Sequence, residues 1–146
     1  MVPEDIEILL VEDNPKDAEL TMITLIKENL ANKVHLVKDG AEALDYIFAE
    51  GMYADRDLEI KPKVILLDWK LPKVDGLEVL KKLKEDNSTK MIPVVVMTSS
   101  KEEEDLVNSY NFDLNSYIAK PIDFEKFMTS VSELGLYWLL LNKRPF

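Results

Sequence analysis

Five short aliphatic runs, each followed by a longer stretch of helical spacing, constrain this chain more than any other feature. The runs are Ile6 to Val11, Val34 to Val37, Val64 to Leu67, Pro93 to Met97 and Tyr117 to Ala119. Aliphatic and β-branched runs bounded by turn formers predict strands. Because the runs are continuous instead of alternating with polar residues, the strands are predicted to be covered on both faces, as in a parallel sheet.

Helix start signals stand between the runs. Asn14 precedes Pro15, a residue suited to a first helical position, while Asp39 and Gly40 precede "AEALDYIF" and Asp75 and Gly76 precede "LEVLKKLK". Ser100 with Glu103 three residues later forms a predicted capping box, and Asp123 is placed to cap the last helix. The acidic run "KEEED" reads as a solvated helix start favoured by the positive end of the helix dipole. Gly51 to Pro62 reads as a long polar surface loop, and His35 in "KVHLVK" as an ordinary strand residue. Strand alternating with helix five times predicts an α/β fold: a five-stranded parallel sheet, doubly wound, in the flavodoxin-like order 2-1-3-4-5. Residues 1–146 are long enough for one domain with a real core. No second domain is expected after the fifth strand and its helix.

Composition narrows the function classes. With 28 acidic against 18 basic residues and a net charge of −10, sequence-independent binding to nucleic acid or to an anionic membrane is disfavoured, since both reward basic patches. No cysteine and one histidine exclude disulfides, thiolate metal sites and an imidazole cluster. The amino terminus is acidic where a secretory signal would be basic, and the apolar run Leu136 to Leu141 is too short to span a bilayer. A cytoplasmic protein is expected, whose partner is a protein or a cation.

In this sheet order, chemistry belongs at the carboxyl ends of the strands, near strands 1 and 3. Strand 1 delivers Glu12 and Asp13 there, strand 3 Asp68, strand 4 Thr98 and Ser99, and strand 5 Lys120. Two carboxylates about 4 Å apart repel by roughly 4 kcal/mol at an effective dielectric of ~20, so three of them require cations. Lys120 is one; oxygen ligands without imidazole or thiolate suit Mg2+ as another. An aspartate beside Mg2+ is a known type of phosphoryl acceptor, with Lys120 and the Thr98 hydroxyl placed to hold its oxygens. Taken singly, each residue has an ordinary reading as a cap or loop solvator. Four strand ends supplying complementary groups to one crevice favour the functional reading for Asp13, Asp68, Thr98 and Lys120.

Together "VEDNP", "LLDWKLPKVDG", "VMTSS" and "YIAKP" resemble a response-regulator receiver domain over nearly the whole chain. That resemblance implies that Glu12 and Asp13 are the acidic metal pair, Asp68 the phosphoacceptor, the Trp69 carbonyl a metal ligand, Thr98 the switch hydroxyl and Lys120 the phosphate-sensing lysine. It places Tyr117 at the aromatic switch position, against the alternative of an aromatic packed on the sheet edge, and implies a cis bond between Lys120 and Pro121. Lys70 and Ser100 occupy positions that in the family tune loss of the phosphoryl group. The long third connection and the tail "WLLLNKRPF" resemble the stand-alone regulators paired with phytochrome-type histidine kinases. The implied function is a phosphoacceptor switch and not an enzyme, with Mg2+ as cofactor and a sensor histidine kinase as partner.

Other classes fit less well. A flavin carrier of this fold needs donors for the flavin phosphate after strand 1, and "EDNPKDAE" is acidic; an aspartate-nucleophile phosphatase needs a second aspartate where Lys70 stands. A receiver-like scaffold that is never phosphorylated is the remaining alternative. The C-terminal stretch is apolar all round from residue 136 to 141, more than one docked face can hide. Either it folds back along its own domain or it forms a homodimer patch through the C-terminal helix region.

Overall fold

The structure, a computed structural model, describes residues 8–27, 34–71, 73–109, 116–121 and 123–133. The expected C-terminal extension and its dimer patch lie outside the described residues. Five parallel strands form one sheet in the order β2-β1-β3-β4-β5, as expected: β1 (Ile8–Val11), β2 (Val34–Val37), β3 (Val64–Asp68), β4 (Val94–Thr98) and β5 (Ser116–Ala119). The connecting helices are α1 (Pro15–Lys27), α2 (Gly40–Phe48), α3 (Gly76–Glu85), α4 (Lys101–Ser109) and α5 (Phe124–Glu133). Among the described residues no helix is long and apolar enough to cross a membrane.

The aliphatic runs become strands because both pleat faces are buried. Leu9, Val11, Ile65, Leu67, Val94 and Val96 pack against Ala43 and Ile47 of α2, Val79, Leu80 and Leu83 of α3, and Val107 of α4. The residues one step out of phase, Ile8, Leu10, Val64, Leu66, Val95, Met97 and Ile118, pack against Leu25 of α1 and Phe127 of α5. Each such side chain contributes about 1.5–3 kcal/mol on burial, and β1, β3 and β4 are buried at every position. Consequently the register of the central strands is held from both sides.

Local capping follows the sequence. Asn14 Oδ1 accepts from the Lys16 and Asp17 N–H groups at 2.9 and 3.1 Å. Asp39 accepts from Glu42, Asp75 from Glu78 and Asp123 from Lys126, each through the backbone N–H of the third residue on. Ser100 Oγ accepts from the Glu103 N–H at 3.2 Å, but Glu103 reaches one residue further back than in a capping box, to the Ser99 N–H at 2.8 Å. Glu103 is also buried, and Lys70 Nζ lies 3.5 Å from its carboxylate. The reading of "KEEED" as uniformly solvated is thus corrected: the first-turn carboxylate that points back along the helix ties α4 to the loop after β4.

The connection from residue 51 to 62 also departs from a plain surface loop. It opens with a 3-10 turn, Gly51–Tyr53, and binds the β2 edge through aromatic contacts. His35 stacks on Tyr46 at 4.3 Å between ring centroids, and Tyr53 meets both rings edge-on. Arg56 covers the Tyr46 ring at 4.0 Å and donates to the carbonyls of Tyr46 and Ile60. The Tyr53 hydroxyl donates to Glu42 at 2.7 Å, so His35 Nε2, 3.0 Å from that same hydroxyl, is the protonated nitrogen and donates to it. Burial holds His35 below its ordinary pKa despite the charge of Glu42. His35 is therefore a satisfied, neutral partner in a packed cluster, more than an ordinary strand residue.

The start of α2 lies hard against the loop after β3. A Cβ built at Gly40 would stand 1.7 Å from the Val74 carbonyl oxygen and 2.9 Å from Val74 Cβ, so only glycine fits without moving backbone. Gly40→Ala is expected to cost about 2 kcal/mol or more, within the range of overpacked positions, read as a lower urea midpoint at unchanged m-value; an unchanged midpoint would show that this approach is not tight.

Candidate functional site

Strand register builds the site. Val11 pairs with Leu67 and Val37, so Glu12, the next residue, comes level with Asp68 at the end of β3. Asp68 pairs with Met97, Thr98 with Ala119, and the Lys120 N–H donates to the Thr98 carbonyl at 2.8 Å. The two-residue period of a strand puts Glu12, Asp68 and Lys120 in phase with the α1 and α5 side of the sheet, and Thr98 with the other side. The Lys120–Pro121 bond is cis.

Lys120 is the hub. Its Nζ lies 3.1 Å from Glu12 Oε1, 3.3 Å from Asp68 Oδ2 and 3.0 Å from Asp17 Oδ2. Burial opposes its charge, but the hydrogen bond to Asp17 and the charges of Asp68 and Glu12 override that and hold the ammonium above the ordinary lysine range. Asp68 shows the opposite strain. Burial first, then the hydrogen-bonded and charged Glu12 beside it, push its carboxyl up to about 8 against the pull of Lys120.

Glu12, Asp13 and Asp68 can each offer a carboxylate oxygen within 4.8 Å of the others, with Asp13 exposed and the other two buried. An octahedral Mg2+ holds oxygens at about 2.1 Å, hence trans pairs about 4.2 Å apart, so this all-oxygen trio fits such an ion with small side-chain movements. Trp69, expected from the resemblance to offer its carbonyl as a ligand, follows Asp68 directly in the chain. Its carbonyl oxygen accepts from the Gly76 N–H at 3.1 Å. The buried Thr98 Oγ1 has no hydrogen-bond partner among the described residues, an arrangement costing about 1–3 kcal/mol until an acceptor arrives. At the end of the neighbouring β4 stands a hydroxyl in want of an acceptor.

Tyr117 lies apart from this cluster. Its side chain is partly exposed on β5, and Asn108 of α4 donates to its hydroxyl at 3.4 Å. Asp17 is the cluster member that reading strand ends overlooks, because it is carried in by the first turn of α1. Its signal was available: a carboxylate four residues after Asp13, on the helix that Asn14 caps next to the crevice.

Residues 8–132 match the model of the response regulator receiver domain. The chain belongs to the response regulator receiver family. This receiver is 42% identical over 139 residues, 94% of the chain and 86% of the relative, to "Probable methanogenesis regulatory protein FilR2" of Methanothrix harundinacea. Among solved structures it is similar to the bacteriophytochrome response regulator AtBRR, with 50% identity, a TM-score of 0.86 and coverage of 97% of this chain and 100% of that one. It is also similar to the phosphorylated cyanobacterial phytochrome response regulator RcpA, with 37% identity, a TM-score of 0.71 and 97% of each chain covered.

The raised Asp68 sets a pH dependence for the metal-free receiver. The carboxyl titrates near its ordinary 3.8 when unfolded and near 8 when folded, so the folded state binds this proton more tightly. The associated stability is full below the unfolded value and is lost as pH climbs through that window. In a chelator, Asp68→Asn should therefore melt above wild type, with the gap widening from about pH 5 to about pH 8; thermal melts showing a constant or shrinking gap would contradict this placement of Asp68.

Proposed function

We propose that this receiver is a single-domain response regulator that accepts a phosphoryl group on Asp68 from the phosphohistidine of a sensor histidine kinase. The observation that carries the reading is the meeting of Lys120 with Glu12 and Asp68 at the strand ends, with the buried Thr98 hydroxyl at the end of the neighbouring β4 lacking a hydrogen-bond partner among the described residues. An Asp68 carboxylate oxygen attacks phosphorus in line with the breaking N–P bond, and the imidazole leaves with the electron pair and takes up a proton. Asp68 must be ionised to attack, and positive charge in the pocket draws it down from its raised value. Lys120 and Thr98 then donate to two of the phosphoryl oxygens. Bound at Glu12, Asp13, Asp68 and the Trp69 carbonyl, Mg2+ would supply charge neutralisation for the transferring group.

The likeness to AtBRR and RcpA supports a phytochrome-type kinase as partner, and reliance on an ATP-fed kinase supports a cytoplasmic location. The protein acts as an acceptor and switch, not as an enzyme on a separate substrate, and passes its state on through protein contacts. Tyr117, whose hydroxyl accepts from Asn108 of α4, would report Thr98 movement on that face. With Mg2+ and a small phosphodonor, wild type should form an acid-stable, base-labile acyl phosphate. Asp68→Asn should form none, and a fully labelled Asp68→Asn would refute the assignment. Asp13→Asn should weaken Mg2+ binding about tenfold or more, since a charged oxygen is lost from the trio. Lys120→Ala should not weaken it, because Nζ competes with the ion for Glu12 and Asp68; calorimetric titration separates the two variants, and equal losses would contradict the division of roles.

The apolar stretch from Leu136 to Leu141 serves, on this reading, as an isologous homodimer patch. Trp138→Asp should shift sedimentation toward monomer while Asp68 still accepts phosphate. A wild-type chain that sediments as monomer at every concentration, phosphorylated or not, would remove the dimer.

A further inference from the structure

Lys120 Nζ has three N–H donors and four carboxylate oxygens in reach: Glu12 Oε1 at 3.1 Å and Oε2 at 3.3 Å, Asp68 Oδ2 at 3.3 Å and Asp17 Oδ2 at 3.0 Å. The shortest contact runs to the one carboxylate among these partners that stands outside the trio of Glu12, Asp13 and Asp68 able to offer oxygens to a cation. Asp17 is fixed at its root. Its N–H is held by Asn14 Oδ1 at 3.1 Å, and the next N–H, that of Ala18, by the Asn14 carbonyl at 2.9 Å. The Asp17 carboxylate therefore cannot travel far with the ammonium.

These placements create a competition. A cation seated on the trio would take negative charge from two of the lysine's partners and leave Asp17 as the third. A phosphoryl group on Asp68 would bring new oxygens to the ammonium, and each donor turned to them is withdrawn from a carboxylate. Resting on the phosphoacceptor reading above, we infer that Asp17 is a positioning residue that holds Lys120 toward α1 in the resting receiver and is exchanged for a phosphoryl oxygen when Asp68 is modified. The exchange is inexpensive for Asp17. It is one-third exposed and stays in the first turn of α1, where water and the positive end of the helix dipole stabilise the released charge. One result is a link between phosphorylation and α1: the side-chain tie between the start of α1 and the end of β5 opens as Asp68 is modified.

The test uses beryllofluoride with Mg2+, which mimics an aspartyl phosphate, titrated calorimetrically into the full chain. Asp17→Asn keeps the side chain's shape and removes its charge, so it should bind the mimic about fivefold more tightly, the scale of a partly exposed ion pair. Asp17→Glu, which restores the pairing, should return to the wild-type value. On a Lys120→Ala background, Asp17→Asn should change affinity by less than about twofold, because the effect travels through the ammonium. Unchanged or weaker binding by Asp17→Asn would overturn the inference, as would an equal gain on the Lys120→Ala background, which would mark general charge removal. Binding by wild type with either of those results overturns this inference alone, whereas no binding by wild type overturns the phosphoacceptor reading and this one with it. Thermal melts of the variants establish that each is folded.

Discussion

One ammonium group joins three carboxylates at the crevice, and the rest of the site is arranged around it. Lys120 contacts Glu12, Asp17 and Asp68, drawn from β1's exit, the first turn of α1 and the end of β3. Carboxylates about 4 Å apart repel by roughly 4 kcal/mol at an effective dielectric of ~20, so a single positive charge offsets only part of the repulsion. Burial first, and then the neighbouring Glu12, hold Asp68 elevated despite that charge. A pocket left short of positive charge suits further cationic charge and a group whose transfer exploits it.

Such a site costs stability, and the sheet offsets the cost. A buried hydroxyl at Thr98 without a partner among the described residues and a carboxyl held away from its ordinary titration both favour unfolding. Directly behind them stand Leu66, Leu67, Val95 and Val96, all fully or nearly fully buried, within strands clamped from both faces. Strain therefore stays confined to the strand ends, where a ligand can relieve it, and the interior remains apolar and close-packed.

A different device stabilises the opposite edge. The β2 strand is only partly buried, and the segment from Gly51 to Ile60 covers it with Tyr53 and Arg56, closing on His35 and Tyr46. Aromatic contact, a cation over a ring and a hydrogen-bond chain to Glu42 replace the aliphatic packing used elsewhere. The long connection thus packs its side chains against a residue of the edge strand and the helix that follows it.

How much of this was legible in the chain depends on the range of the interaction. Aliphatic runs marked the strands to within a residue or two, and the caps at Asn14, Asp39, Asp75 and Asp123 were readable because each bonds a backbone N–H within three residues. Glu12, Asp13, Asp68, Thr98 and Lys120 could be nominated together because a parallel sheet sends every strand's carboxyl end to one edge. Three features were settled only by tertiary structure: the Asp17 contact, across 103 positions of sequence; the burial of Glu103; and the ring cluster joining His35 and Tyr46 to Tyr53 and Arg56. Periodicity and capping are local and survive in the order of residues. Which carboxylate meets an ammonium, and which ring covers an edge, depends on how the helices and connections pack on the sheet, and that geometry exists only once the chain has folded.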